Sequence, residues 1–364
     1  MAKINELARL GQSIWLDYIR RSLITSGELK DFIEQGITGV TSNPTIFEKA
    51  IAGTNDYDND IKELSGKNKS TPEIYEELAV SDIKSTADIL LSAYERSSGR
   101  DGFVSLEVSP DLAYDTEGTV LEARRLFKTL GRPNVMIKVP ATKEGIPAIE
   151  TLISEGINVN VTLLFSISRY KESANAYISG LEKLSASGND ISPVASVASF
   201  FVSRVDTAVD RQLETNGKHD LMGKIAIANS KAAYAVFKEL FTGPRWQALS
   251  DKGAQVQRLL WASTGTKNPA YPDTMYLDDL IGEHTVNTVP PDTLRAYLDH
   301  GVAAGTLDNG LKQAQSCIDS LSDQGIDLDD VTDKLQKVGV GLFSKSFESL
   351  INSIEEKRQS LTMS

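Results

Sequence analysis

The chain has 364 residues, 40% of them apolar and 24% charged, which describes a globular protein of one large domain or two ordinary ones. Its net charge of −12 comes from dispersed acidic residues, which argues against nucleic acid or an anionic membrane as partner but leaves room for a phosphorylated substrate held by local basic groups. A lone cysteine, Cys317, excludes an intrachain disulfide and fits a reducing compartment.

Residues 1–10 carry charge throughout, without the apolar core of a signal, and no apolar run approaches bilayer length. A cytoplasmic protein is expected. Strand-like runs then alternate with helical patterns. Strands are expected near 13–18, 37–42, 102–108, 134–139, 158–164, 194–200, 258–263 and 275–280. Between them, Leu29, Phe32 and Ile33 share a helical face that stops at Gly36. Ala123, Leu126, Phe127 and Leu130 do the same before Gly131, and Ile149, Leu152 and Ile153 before Gly156. Tyr170, Ala174, Tyr177, Ile178 and Leu181 form a longer stripe.

Eight strands alternating with helices point to an α/β protein with a (β/α)8 TIM barrel. A doubly wound open sheet is the runner-up, but no Gly-x-Gly-x-x-Gly turn follows an early strand and no Walker-type loop is present. Residues 44–101 form a long insertion after the second strand, with a helix expected over 72–96. The tail beyond about 308 also reads as helical. These additions account for a length above the roughly 250 residues of a bare barrel. With no linker or short-period repeat, residues 1–364 are read as a single barrel domain.

The strands alternate in an unusual sense. Val104, Leu106 and Val108 oppose Ser105 and Glu107; Val135, Ile137 and Val139 oppose Met136 and Lys138; Val159, Val161 and Leu163 oppose Asn160 and Thr162. Ile14, Leu16 and Tyr18 oppose Trp15 and Asp17. If the apolar faces meet helices, the polar set points into the barrel, where polar groups are costly unless paired. Asp17, Glu107, Lys138, Asn160 and Thr162 then converge near the C-terminal strand ends, the face that carries active sites in barrels, with Asn43 just after strand two. Lys138 is the only charge in Val135–Val139. It either faces water or is buried with a purpose, because burial disfavours the ammonium and favours a nucleophilic amine.

The same alternation also describes a one-sided sheet facing water, in which a strand lysine is a solvated edge residue. The intervening helices favour parallel strands covered on both faces. For Asn160 and Thr162, a structural hydrogen bond fits as well as catalysis. Ser199 to Arg204 and Ser263 to Asn268 run off strands six and seven and offer serines beside a cation, a pattern that suits a phosphate but is also common on surfaces. His219, His284 and His300 lie far apart and there is no Cys/His metal spacing, so no metal site is expected.

In Val40-Thr-Ser-Asn-Pro-Thr45, Val104-Ser-Leu-Glu-Val108, Val135-Met-Ile-Lys-Val-Pro140, Ile157 to Phe165 and Ser199 to Arg204, the chain resembles the transaldolase family, in order and spacing, over essentially its whole length. The resemblance implies a barrel that transfers a dihydroxyacetone unit from sedoheptulose 7-phosphate to glyceraldehyde 3-phosphate through a lysine Schiff base, giving erythrose 4-phosphate and fructose 6-phosphate. No metal or organic cofactor is implied. It makes Lys138 the Schiff-base lysine, Asp17 the acid–base at the C4 hydroxyl, and Glu107 and Thr162 the pair that works through a water. Asn43 and Asn160 would hold sugar hydroxyls or the intermediate, and Ser199 and Arg204 the phosphate, with Phe201 shaping the pocket. Many members have an arginine after strand seven; here Lys267 is the candidate for that role. A homodimer or a monomer fits equally.

Three rival readings stand beside this one. The nearest is a fructose-6-phosphate aldolase, which is similar around the lysine but shorter and releases dihydroxyacetone. A glycoside hydrolase would use Asp17 and Glu107 as paired carboxylates but leaves Lys138 without a task. A non-catalytic sugar-phosphate-binding barrel is the third.

Overall fold

The computed structural model describes residues 3–362. Eight parallel strands close a barrel: β1 (Gln12–Leu16), β2 (Ile37–Val40), β3 (Val104–Glu107), β4 (Val135–Pro140), β5 (Val159–Leu164), β6 (Ser196–Phe201), β7 (Arg258–Ala262) and β8 (Thr285–Val289). Each pairs with its sequence neighbour, and β1 closes on β8. Helices join the strands, as parallel crossovers require.

The apolar strand faces meet those helices. Val104, Val135, Ile137, Val139, Val159 and Val161 are fully buried against them. The other face fills the lumen. Gly39 on β2 pairs with Trp15 on β1. A Cβ at Gly39 would lie 2.5 Å from the Trp15 ring, so only glycine lets the indole occupy the barrel interior there.

Seven expected strands are present, with ends that coincide or shift by one or two residues. The eighth is misplaced. Residues 275–280 contain a short helix, Met275–Asp278, and the strand is Thr285–Val289. Tyr276, Leu277, Leu280 and Ile281 are buried at helical spacing, and Thr274 Oγ1 donates to Asp278 at 2.6 Å. The real strand, Thr-Val-Asn-Thr-Val, carries polar residues on its helix-facing side, which hides it from a hydrophobic pattern. Asn287 is satisfied from two sides: its Nδ2 donates to the Tyr276 carbonyl in the segment mistaken for the strand, and Thr264 Oγ1, just after β7, donates to its Oδ1.

The insertion after β2 forms three helices, Pro44–Ala52, Asp58–Gly66 and Thr71–Arg96. The tail forms two, Leu311–Asp323 and the 35-residue Leu328–Thr362. This last helix crosses the C-terminal mouth of the barrel. Gln336 Nε2 donates to the carbonyls of Ala141 and Leu163, just beyond β4 and within β5, at 2.7 and 3.2 Å. Thr45 donates to Ser346 at 2.9 Å, and Lys357 pairs with Asp58 at 2.7 Å. Gly339 lets the helix approach closely, since a Cβ there would lie 3.0 Å from Leu163 Cδ2. No helix of the described residues is long and apolar enough to cross a membrane.

Candidate active site

The site lies where the strands end. Glu107 on β3, Lys138 on β4 and Asn160 on β5 are direct register partners, so they project side by side from the inner face of the sheet. Lys138 is 5% exposed. Its Nζ donates to the Ser42 carbonyl at 2.8 Å and to Glu107 Oε2 at 3.3 Å. The ring of Phe343, from the C-terminal helix, has its centroid 5.9 Å from Nζ.

Asn160 is locked from both ends. Its Nδ2 donates to Ser105 at 3.0 Å, and its Oδ1 accepts from Ser199 at 2.6 Å. Ser199, expected among phosphate ligands, thus commits its proton to Asn160. The register of β5 against β6 shifts between Val161 and Leu164, and Leu163 adopts φ 58. This bulge sits beside Thr162, whose hydroxyl is buried without a hydrogen-bond partner.

Asp17 follows β1 and extends its ladder, its N–H donating to Val289 O at 2.8 Å. Thr41 Oγ1 donates to Asp17 Oδ1 at 2.7 Å and takes a proton in turn from Thr288, 2.6 Å away. Asn43 caps the helix Pro44–Ala52: its Oδ1 accepts from Ile46 N at 3.0 Å, with Pro44 at the first helical position. Its amide N–H groups remain for the cavity it lines.

These groups surround a mouth cavity of about 760 Å³. Asp17, Asn43, Lys138, Thr162, Ser199, Phe201, Arg204 and Lys267 all line it; Glu107 and Asn160 stand behind. Arg204 is half-buried, with its guanidinium 5.7 Å from the Phe201 ring centroid. Lys267 is exposed at the rim. Neither forms an ion pair among the described residues, so two cations are available to an anion. Burial pulls the Arg204 guanidinium below its usual value. Burial also raises the carboxyls of Asp17 and Glu107 above the ordinary range, and the nearby Lys138 only partly opposes it. A raised carboxyl is better matched to proton transfer near neutral pH.

The sequence pattern did not find Arg20, Thr41, Thr288, Arg295 or Phe343, which also line the mouth. Thr41 lies within Val40-Thr-Ser-Asn-Pro-Thr45, and Thr288 lies on β8, where no strand is expected from the pattern. Phe343 had no signal, because its helix is placed by tertiary contacts alone.

Such an arrangement can bind a phosphorylated carbonyl compound, form an imine at Lys138 and move protons at two separated carboxylates. No cluster of His, Cys, Asp or Glu able to hold a metal occurs among the described residues. A family profile described as Transaldolase/Fructose-6-phosphate aldolase matches residues 14–354. Similar proteins include "Transaldolase" of Trichodesmium erythraeum, 49% identical over 98% of each chain. "Transaldolase 2" of a Nostoc species is 50% identical over 97% of this chain and 96% of its own. "Transaldolase" of Neisseria meningitidis serogroup C is 48% identical over 96% and 99%.

Proposed function

The chain belongs to the transaldolase family, and from that membership and the geometry of the mouth we propose how its residues divide the work. The activity is that of a transaldolase, EC 2.2.1.2, a transferase of the pentose phosphate pathway acting on sugar phosphates. A dihydroxyacetone unit passes from sedoheptulose 7-phosphate to glyceraldehyde 3-phosphate. The products are erythrose 4-phosphate and fructose 6-phosphate.

Lys138 passes a proton to Glu107, 3.3 Å away, and its neutral amine attacks the ketose C2. Glu107 then protonates the C2 oxygen of the carbinolamine, which leaves as water while the C=N bond forms. Thr162, whose hydroxyl has no protein partner, holds that water. Asp17 removes the proton of the C4 hydroxyl, the C3–C4 bond breaks, and its electrons pass into the imine to give an enamine. After the aldehydes exchange, the enamine C3 attacks the acceptor's carbonyl and Asp17 returns the proton. Hydrolysis frees Lys138.

Asn43 orients the sugar hydroxyls, while Asn160, fixed by Ser105 and Ser199, stands behind the wall and holds Ser199 in place beside the intermediate. Arg204 and Lys267 take the phosphate, and Phe201 walls the pocket beside them. We read residues 1–364 as one working domain in a cytoplasmic protein, since the C-terminal helix delivers Phe343 to the site.

The observation that carries this reading is the buried Lys138 amine. It is held between a carbonyl and a carboxylate at the floor of a cavity whose rim bears two cations without ion pairs. Borohydride reduction with fructose 6-phosphate is expected to trap an adduct on Lys138. Lys138→Ala is expected to abolish erythrose 4-phosphate turnover in a coupled assay. An adduct on another lysine overturns the assignment. Free dihydroxyacetone formed equally with and without acceptor aldehyde would indicate an aldolase instead.

A further inference from the structure

Glu107 does not line the mouth cavity; it lines a second cavity of about 270 Å³ on the flank of the barrel. This cleft lies between the helices Thr71–Arg96 and Thr116–Leu130, with Tyr75 and Ala79 on one wall and Leu126 on the other. Ser42, whose carbonyl accepts from Lys138, also lines it, and Asn43 lines both cavities. The Lys138–Glu107 pair therefore stands as a partition, with its amine toward the sugar mouth and its carboxyl toward the flank. At the cleft's edge Arg125 binds Glu76 through two hydrogen bonds of 2.5 and 2.7 Å and Glu122 through two more of 2.9 and 2.8 Å. Glu76 and Glu122 both line the cleft, so this clasp ties its two walls together.

Imine chemistry at Lys138 creates a traffic problem. When the carbinolamine C2–O bond breaks, the oxygen takes a proton from Glu107 and must leave as one water molecule. One water must return to C2, giving up a proton to Glu107, when the imine is hydrolysed. At both moments the sugar chain occupies the mouth, its phosphate sits at the rim, and Phe343 covers the amine. Keeping the mouth dry also protects the enamine. Water reaching C2 through the mouth would have to displace the substrate.

We propose that the flank cleft is a lateral passage for water and protons to Glu107, separate from the entry used by the sugar. It rests on the imine role of Lys138 and the proton role of Glu107 proposed above. The passage serves dehydration and hydrolysis alike, so obstructing it slows imine formation and breakdown together and leaves their equilibrium unchanged.

The test fills the cleft from either wall in the full-length enzyme, with Ala79→Leu and, separately, Leu126→Phe; both positions are buried and line it. Ala79→Ser, which leaves the space open, is the control. Two rates are read: loss of ¹⁸O from C2-labelled fructose 6-phosphate without acceptor, and appearance of the borohydride-trapped Lys138 adduct. Each filled variant is expected to slow both rates five- to tenfold. The final adduct level should match wild type, because the obstruction slows both directions alike and the mouth is untouched. Wild-type rates in a filled variant with an unchanged thermal midpoint overturn the passage, as does equal slowing by Ala79→Ser. Absence of any Lys138 adduct in the wild-type protein instead removes the catalytic reading beneath it.

Discussion

The two ends of the barrel lumen hold similar residue types in opposite states. At the N-terminal end, Asp101 accepts from Trp15 Nε1 at 2.7 Å and from Ser13, while Arg258 donates to Ser13 at 2.8 Å and stands 3.5 Å from Asp101. The Arg258 guanidinium also lies 5.8 Å from the Trp15 ring centroid. The two charges there face each other, although Arg258 Nη2 is buried without a hydrogen-bond partner. At the C-terminal end, Asp17 has only a neutral hydroxyl as side-chain hydrogen-bond donor, Thr162 has none, and Arg204 and Lys267 form no ion pair among the described residues. Buried polarity that is paired stabilises the barrel, and buried polarity left incomplete is what a substrate can complete.

Exchanging the roles by mutation should break that contrast if it is wrong. After the loss of Lys138 itself, the largest effect is expected for Asp17→Ala. General acid–base groups contribute roughly 10²–10⁴-fold, so transfer should fall by about that factor while the Lys138 adduct still forms. Stability should hold or rise at neutral pH. Burial raises the Asp17 carboxyl, so folding favours its protonated form, and the wild-type protein loses that contribution as pH rises through the raised value. The wild-type kcat should correspondingly fall on acidification before an ordinary carboxylate would titrate. A wild-type transfer rate in the variant would remove Asp17 from the chemistry.

At the other end, Asp101→Ala should leave the kcat of the folded enzyme within about twofold and lower stability by about 3–5 kcal/mol, the cost of orphaning a buried partner charge. Denaturant midpoints and steady-state rates measured on one preparation separate the two quantities. A variant that kept its stability and lost its turnover would reverse the contrast.

The fold was legible because apolar alternation repeats in β3, β4 and β5 and the intervening helices keep their stripes. It failed at β8, where Thr285 and Asn287 face the helical layer and take hydrogen bonds from Gln12 and Thr264. Alternation also put Lys138, Glu107 and Asn160 on one inner face, and the register shows why: neighbouring parallel strands hold them as direct partners. What alternation could not carry was distance along the barrel axis. Trp15 and Asp17 share a face, yet one closes the lower cluster and the other lines the mouth. Phe343 was invisible for a related reason, since a residue near the end of the chain reaches Lys138 only through the packing of a long helix.

Within the mouth, Arg204→Ala is expected to raise KM for phosphorylated substrates about 10–100-fold with little change in kcat, the loss of a charge-assisted contact from a half-buried site. An unchanged KM would free Arg204 from phosphate binding.

The smallest effect belongs to Lys267→Ala, and it separates two kinds of unpaired cation. Lys267 lies on the loop after β7 and is exposed, whereas Arg204 is held against the Phe201 ring. An exposed charge acts through high dielectric and is screened by salt, so its contact with a phosphate should be worth about 0.2–1 kcal/mol, a one- to fivefold rise in KM. That rise should shrink as ionic strength increases, while the Arg204→Ala defect persists. If both defects fade equally with salt, the two cations act alike as diffuse attraction at the mouth. If the Lys267→Ala defect is as large as that of Arg204→Ala and insensitive to salt, Lys267 closes onto the phosphate when substrate is bound, and burial in the free enzyme is the wrong guide to which cation matters.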